Sequence, residues 1–170
     1  PWMCGCPLSL YGHICLGPAG PFDRHPAADA PARLTLAADP AAVKPVEAAA
    51  GDWLCLRGDN QRTCSTQADL SRPVAVQWTY QPTAACEPTA PGAAGGLVFF
   101  GDHGGAVRAL DAATGKLQWE TFTGGPIFYP PAFGNGRVYV GSADGRVYAF
   151  EAATGRELWR YRLAPADRWI

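Results

Sequence analysis

Hydrophobic and polar positions alternate with a period of two through most of the second half of the chain. Arg137 and Tyr139 alternate with Val138 and Val140, and Arg146 and Tyr148 alternate with Val147 and Ala149. That period marks strands with one face turned inward. The pattern predicts strands over residues 97–101, 106–111, 116–122, 127–133, 137–142, 146–151 and 156–163. An earlier strand is expected after Pro73, where Val74, Val76 and Trp78 alternate with Ala75, Gln77 and Thr79. Residues 81–96 suit a poorly patterned innermost strand. Asn135-Gly136 and Asp144-Gly145 are hairpin turn pairs in which both residues tolerate positive φ. Strands joined by turns this short are antiparallel neighbours.

The strands come in two matched sets. GLVFFGDHGGAVRALDAATGKLQWE (residues 96–120) overlays GRVYVGSADGRVYAFEAATGRELWR (residues 136–160) at an offset of 40, Trp119 falling on Trp159. A period of about 40–45 residues suits a four-stranded propeller blade. The expected fold is therefore all-β, a partial propeller of antiparallel blades. Two complete blades, at about 84–122 and 126–163, follow one preceding strand within residues 52–170. Propellers close with about 4–8 blades. The chain stops where another blade is due, so it reads as a piece of a longer polypeptide in preference to a self-assembling copy.

Composition adds limits. With 20 glycines and 16 prolines in 170 residues, turns are plentiful and long helices are not expected. The formal net charge of −1 and the lack of a basic run give no support to a nucleic-acid partner. No apolar run approaches the roughly 18 residues of a membrane span. Residues 21–51 are rich in alanine and proline and read as a linker, either hugging the surface or flexible. Residues 1–20 form a Cys-rich segment that could be part of another blade.

The six cysteines, Cys4, Cys6, Cys15, Cys55, Cys64 and Cys86, all precede the matched pair. Their even number is compatible with disulfides in an oxidising compartment. Cys4, Cys6 and Cys15, with His13, are ligand types that zinc accepts. The C-x-C spacing is tighter than the usual knuckle and no second knuckle follows, so structural thiols or disulfides are the preferred reading.

Both repeats share A-x-[DE]-A-A-T-G-x-x-x-W: Ala109, Asp111, Thr114, Gly115 and Trp119, then Ala149, Glu151, Thr154, Gly155 and Trp159. Each residue has a mechanical reading. Alanine leaves room for a large ring. The acid and the threonine can accept or donate at turn amides. Glycine takes the left-handed conformation at the end of the turn. The tryptophan can lie on a neighbouring sheet, and its N–H needs a partner there.

This string resembles the tryptophan-docking repeat of pyrroloquinoline-quinone (PQQ)-type β-propellers. That superfamily includes quinoprotein alcohol dehydrogenases and a non-catalytic lipoprotein that helps to assemble outer-membrane β-barrels. Residues 52–80 resemble the opening segment of such propellers, W-x-x-x-R-G-D-x-x-R-T-G, through Trp53, Arg57, Gly58, Asp59, Arg62 and Thr63. Cys64 stands in place of the final glycine, and Glu151 in place of the usual turn aspartate. The resemblance implies a periplasmic, envelope or secreted location, and partners that are either the remaining blades or other proteins.

Two functions follow. One is a non-catalytic scaffold or binding module, with no catalytic residue, metal or cofactor. The other is a fragment of a dehydrogenase using PQQ and Ca²⁺. In that family such an enzyme needs an axial quinone site, carboxylate and amide oxygens for Ca²⁺, an aspartate base and an adjacent cysteine pair. No adjacent cysteines occur. Asp102, Asp111, Asp144 and Glu151 read as turn caps, and His103 as a solvated turn residue. Phe128 and Tyr129, beside Pro130-Pro131, read as core of an innermost strand, the other option being an axial or partner surface.

Overall fold

A computed structural model describes residues 33–66, 68 and 73–163. The Cys-rich segment, with Cys4, Cys6, His13 and Cys15, lies outside the described residues. So do residues 21–32 of the alanine- and proline-rich tract.

Among the described residues nine strands form two antiparallel sheets: β1 (Leu34–Leu36), β2 (Gly92–Ala94), β3 (Leu97–Gly101), β4 (Ala106–Asp111), β5 (Leu117–Phe122), β6 (Ala132–Gly134), β7 (Arg137–Ser142), β8 (Arg146–Glu151) and β9 (Glu157–Arg162). One sheet runs β2-β3-β4-β5. The other runs β1-β9-β8-β7-β6. The fold is all-β, two propeller-type blades without closure. The repeat is kept in register: Ala109 lies opposite Trp119 and Ala149 opposite Trp159. Both pairs are followed by a register shift, so the same irregularity recurs in each blade.

Two expected strands differ, and one observed strand was not expected. Residues 127–131 are not a strand, and β6 begins only at Ala132. Pro130 and Pro131 have no N–H to give to a ladder. Ile127 is buried, but Phe128 and Tyr129, expected in the core, are 57% and 74% exposed. Residues 73–80 belong to no sheet, and Val74 and Val76 are 78% and 85% exposed. A strand exists only against a partner, and among the described residues none lies beside this segment. β1 was not anticipated. Its signal was present in Arg33-Leu34-Thr35-Leu36, a short alternation inside the proline-rich tract.

The core sits between the two sheets. Phe99, Val107, Ala109 and Trp119 of the first sheet meet Val138, Val140, Tyr148 and Phe150 of the second. Gly101 permits the close approach, since a Cβ there would lie 2.6 Å from Ile127. Phe99 stacks on Phe133 at 6.1 Å between centroids.

Two irregular stretches tie the sheets together. Val43 lies against Gly136 and Val46 against Gly95, at corresponding ends of the two blades. Trp53 exchanges two backbone hydrogen bonds with Ala93 of β2, while the Leu54 carbonyl accepts from the Phe133 amide of β6. The inner edges of both sheets are thereby capped by one short segment. That segment is held by the Asp59 turn, whose carboxylate accepts from the amide and hydroxyl of Thr63.

Cys64 closes this turn with φ of 56°, in the left-handed region. The family glycine at this place thus has a conformational reason. Cys64→Gly is expected to raise stability by about 1 kcal/mol, the left-handed penalty offset in part by unfolded-chain entropy. Denaturant midpoints at unchanged slope would measure it.

Candidate functional site

The residues of the shared string converge on the seam. Trp119 leaves β5 and crosses to the second blade. Its indole N–H donates to the Ala152 carbonyl at 2.9 Å. Its ring lies over Gly155, where a Cβ would come within 2.5 Å of the indole. Gly155 also has φ of 74°. Two independent reasons, space and backbone, therefore require glycine.

Trp78 makes the same contact one unit earlier. Its N–H donates to the Ala112 carbonyl at 2.9 Å, and its ring lies over Gly115 in the same way. The seat is thus filled twice, once from a sheet strand and once from the unpaired segment 73–80. Trp159, the third in the series, is half-buried and lines an open apolar cleft.

The turn acids are engaged locally. Asp111 accepts from the Ala113 and Thr114 amides at 3.1 and 2.8 Å and from the Thr114 hydroxyl at 2.7 Å. The Thr114 hydroxyl and amide hold its carboxyl below the usual range. Glu151 behaves differently. Its extra methylene lets one carboxylate oxygen reach beyond its own turn to the Lys44 amide at 2.6 Å. It also takes the Thr154 hydroxyl, with Arg156 at 3.5 Å. Arg156 in turn donates to the carbonyls of Asp39 and Ala42. The departure from aspartate therefore anchors residues 39–44 on the second blade.

Burial would push the Glu151 carboxyl up, but the Lys44 amide, Thr154 hydroxyl and Arg156 guanidinium outweigh it and hold it below 4.5. A folded-state value below the unfolded one gives stability that is present above about pH 4.5. It is lost as pH falls through the folded value. Glu151→Gln should cost about 1–2 kcal/mol at neutral pH and flatten that acid limb. Melting curves at several pH values would check both.

Asp102 and Arg108 form a second local network. Asp102 is 2% exposed and accepts from the Gly104 and Ala106 amides at 2.8 and 3.0 Å. Arg108 joins it to Glu120, both contacts at 2.5 Å, and lies over the Phe100 ring. Burial opposes ionisation of Asp102, yet the Arg108 contact and the turn amides hold its carboxyl below its usual value. In the second blade Asp144 takes the amide and guanidinium of Arg146 and the Tyr148 hydroxyl. Gly145 has positive φ but Asp144 does not, so this turn differs from Asn135-Gly136, where both residues do. His103 pairs with Glu87 at 2.6 Å and packs edge-on against Phe128.

These pairings engage the described turn acids within the chain. The four turn acids are spread over both blades and committed to amides, hydroxyls and guanidinium groups. Among the described residues, no group of three or more His, Cys, Asp or Glu side chains converges on a metal-sized point. The described carboxylates thus do not gather into a Ca²⁺ donor set. Cys55, Cys64 and Cys86 are free thiols.

Comparison with known proteins decides the family. A family model described as "Outer membrane protein assembly factor BamB" matches residues 36–168. The chain belongs to this family of PQQ-like propeller repeat proteins.

Among solved structures, the quinohemoprotein alcohol dehydrogenase of Comamonas testosteroni is 25% identical with a TM-score of 0.60. The match covers 72% of this chain and 21% of that one. BamB from Moraxella catarrhalis is 25% identical with a TM-score of 0.38, over 40% of this chain and 21% of that one. A europium-containing methanol dehydrogenase is 27% identical with a TM-score of 0.46, over 52% and 19%. The chain thus spans about a fifth of the length of these structures. A search of curated proteins finds no match. Among the described residues no helix is long and apolar enough to cross a membrane.

Proposed function

We propose that this BamB-family chain is a non-catalytic β-propeller scaffold of the bacterial cell envelope, presenting blade faces to protein partners. The capped inner edges of the sheets carry this reading. In the dehydrogenases of the superfamily the quinone lies on the propeller axis. Here the backbone of Trp53 and Leu54 takes the hydrogen-bonding positions of β2 and β6 that face inward. The commitment of Asp102, Asp111, Asp144 and Glu151 to their own turns and neighbours supports the same reading.

The match to the Comamonas testosteroni quinohemoprotein alcohol dehydrogenase favours a second reading, a piece of a quinoprotein dehydrogenase. The two part on cofactor binding. The chain is titrated with PQQ in the presence of Ca²⁺, and quinone absorbance and tryptophan quenching are followed. The scaffold reading expects no saturable change up to about 100 μM, a limit corresponding to binding weaker than about 5.5 kcal/mol. Saturable binding that depends on Ca²⁺ would establish the dehydrogenase reading instead.

A further inference from the structure

The Asp59 turn carries two of the three described cysteines, and its backbone draws their chains together. Residues 51–57 and 64–66 run as opposed legs, tied at both ends. The Cys64 amide donates to the Arg57 carbonyl at 3.0 Å, and the Thr66 hydroxyl donates to the Gly51 carbonyl at 3.1 Å. Cys55 lies on the first leg between these ties, two residues from Arg57. Its carbonyl accepts from the Gly58 amide at 2.9 Å, which folds that leg back on itself. Two residues of chain reach at most about 7 Å, and a disulfide asks for Cα atoms about 4.4–6.8 Å apart. The turn therefore holds both cysteine backbones in the neighbourhood that a bridge needs.

Both thiols can be reached from solvent: Cys64 is exposed and Cys55 half-buried. Each donates to a carbonyl of its own turn, Cys55 to Leu56 and Cys64 to Arg62, both at 3.8 Å. Cys64 also holds its place against the backbone, since at φ of 56° it occupies the position of the family's glycine. A bond to the thiol on the opposite leg gives that costly placement a return. Cys86, the third described thiol, sits apart, beside His103 and Phe122.

We propose that Cys55 and Cys64 are a redox pair that closes a disulfide across the Asp59 turn. Cys64 loses its proton, and its sulfur attacks one sulfur of a small-molecule or protein disulfide, expelling the other as a thiolate. Cys55 then loses its proton and attacks the Cys64 sulfur, expelling the second half of the oxidant. One S–S bond forms in the chain and one breaks in the oxidant, which takes up two electrons and two protons and leaves as two thiols. Cys55 directly follows Trp53 and Leu54, so the bridge staples the segment that caps β2 and β6. It forms whether the chain is a scaffold or a piece of a dehydrogenase.

The full chain is equilibrated with glutathione disulfide, blocked with an alkylating reagent and cut with trypsin and Asp-N. Cys55 then lies in residues 52–57, Cys64 in 63–68 and Cys86 in 69–101. Mass spectrometry should find fragments 52–57 and 63–68 joined by a disulfide. Alkylated Cys55 and Cys64 at saturating glutathione disulfide overturn the pairing. So do glutathione retained on Cys64 and bridges from either residue to a different cysteine. Stability gives an independent readout with a change of sign. In the reduced chain Cys64→Gly raises the denaturant midpoint, as expected above. In the oxidised chain it should lower the midpoint, because closing a loop of roughly ten residues favours folding on the order of a hundredfold. Cys55→Ser keeps the left-handed residue, so it should leave the reduced midpoint unchanged and abolish the gain on oxidation. A gain that survives Cys55→Ser overturns the pairing, as does a Cys64→Gly midpoint that rises in both redox states.

Discussion

Trp119→Ala should lower the stability of the chain by about 3–5 kcal/mol, the range for truncating a large buried aromatic side chain. Three losses combine. The indole is 8% exposed and packs with Phe99, ring centroids 6.1 Å apart. Its removal opens a cavity against Gly155, where the surrounding backbone is turned tightly and cannot close in. The Ala152 carbonyl also loses its donor at a buried place. Trp119→Phe should recover part of the packing and none of the hydrogen bond, falling between the two. Denaturant unfolding at matched slopes would give these numbers. A cost under about 1 kcal/mol would place Trp119 among surface substitutions and contradict the seam.

Removing Arg108 is the second large effect expected. Arg108→Met keeps much of the side-chain volume but leaves Asp102 inside the blade with only its turn amides. Breaking one side of a buried pair in this way should cost about 3 kcal/mol. In the wild-type chain the Asp102 carboxyl lies below 3.8 when folded. Its contribution is therefore full above about pH 3.8 and lost as pH falls through the folded value. The difference between variant and wild type should accordingly shrink in acid, where the carboxyl is protonated in both. A cost independent of pH would assign the effect to packing alone. The second blade offers an internal comparison, since Tyr148 takes the place of Arg108 and reaches a carboxylate from a different turn position.

Strand identity was legible wherever both periods agreed, the alternation of two and the repeat of 40. Leu97–Gly101 and Ala106–Asp111 lie where the pattern puts them, and so do Arg137–Ser142 and Arg146–Glu151. The all-β class and the blade-like sheets followed from those same residues. Places where one period stood alone fared less well. Val74, Val76 and Trp78 alternate as a strand does, but alternation reports which face could be buried, not whether a partner strand lies beside it. Ile127–Phe133 alternates less clearly and carries two prolines, and the prolines prevailed. β1 and the strap of Val43 and Val46 were hidden because alanine and proline dominate their composition, while a few spaced apolar residues set their contacts.

The seam chemistry was half legible. The need for glycine after the turn follows from the sequence pattern, but the sequence does not tell which tryptophan sits on which glycine. Nor could it show why Glu151 replaces an aspartate. The answer is at Lys44, 107 residues away in the chain. Such a long-range backbone contact has no local signature.

The seat itself can be read directly. In each filled seat a glycine α-proton points into the face of an indole ring, so ring current should shift it strongly upfield. Backbone-assigned NMR of the chain should therefore find upfield α-proton resonances for Gly115 and Gly155, with ordinary values for Gly105 and Gly136, which also have positive φ but face no indole. Trp119→Ala should return Gly155 alone to the ordinary range. Ordinary shifts for Gly155 in the wild-type chain would contradict the seam.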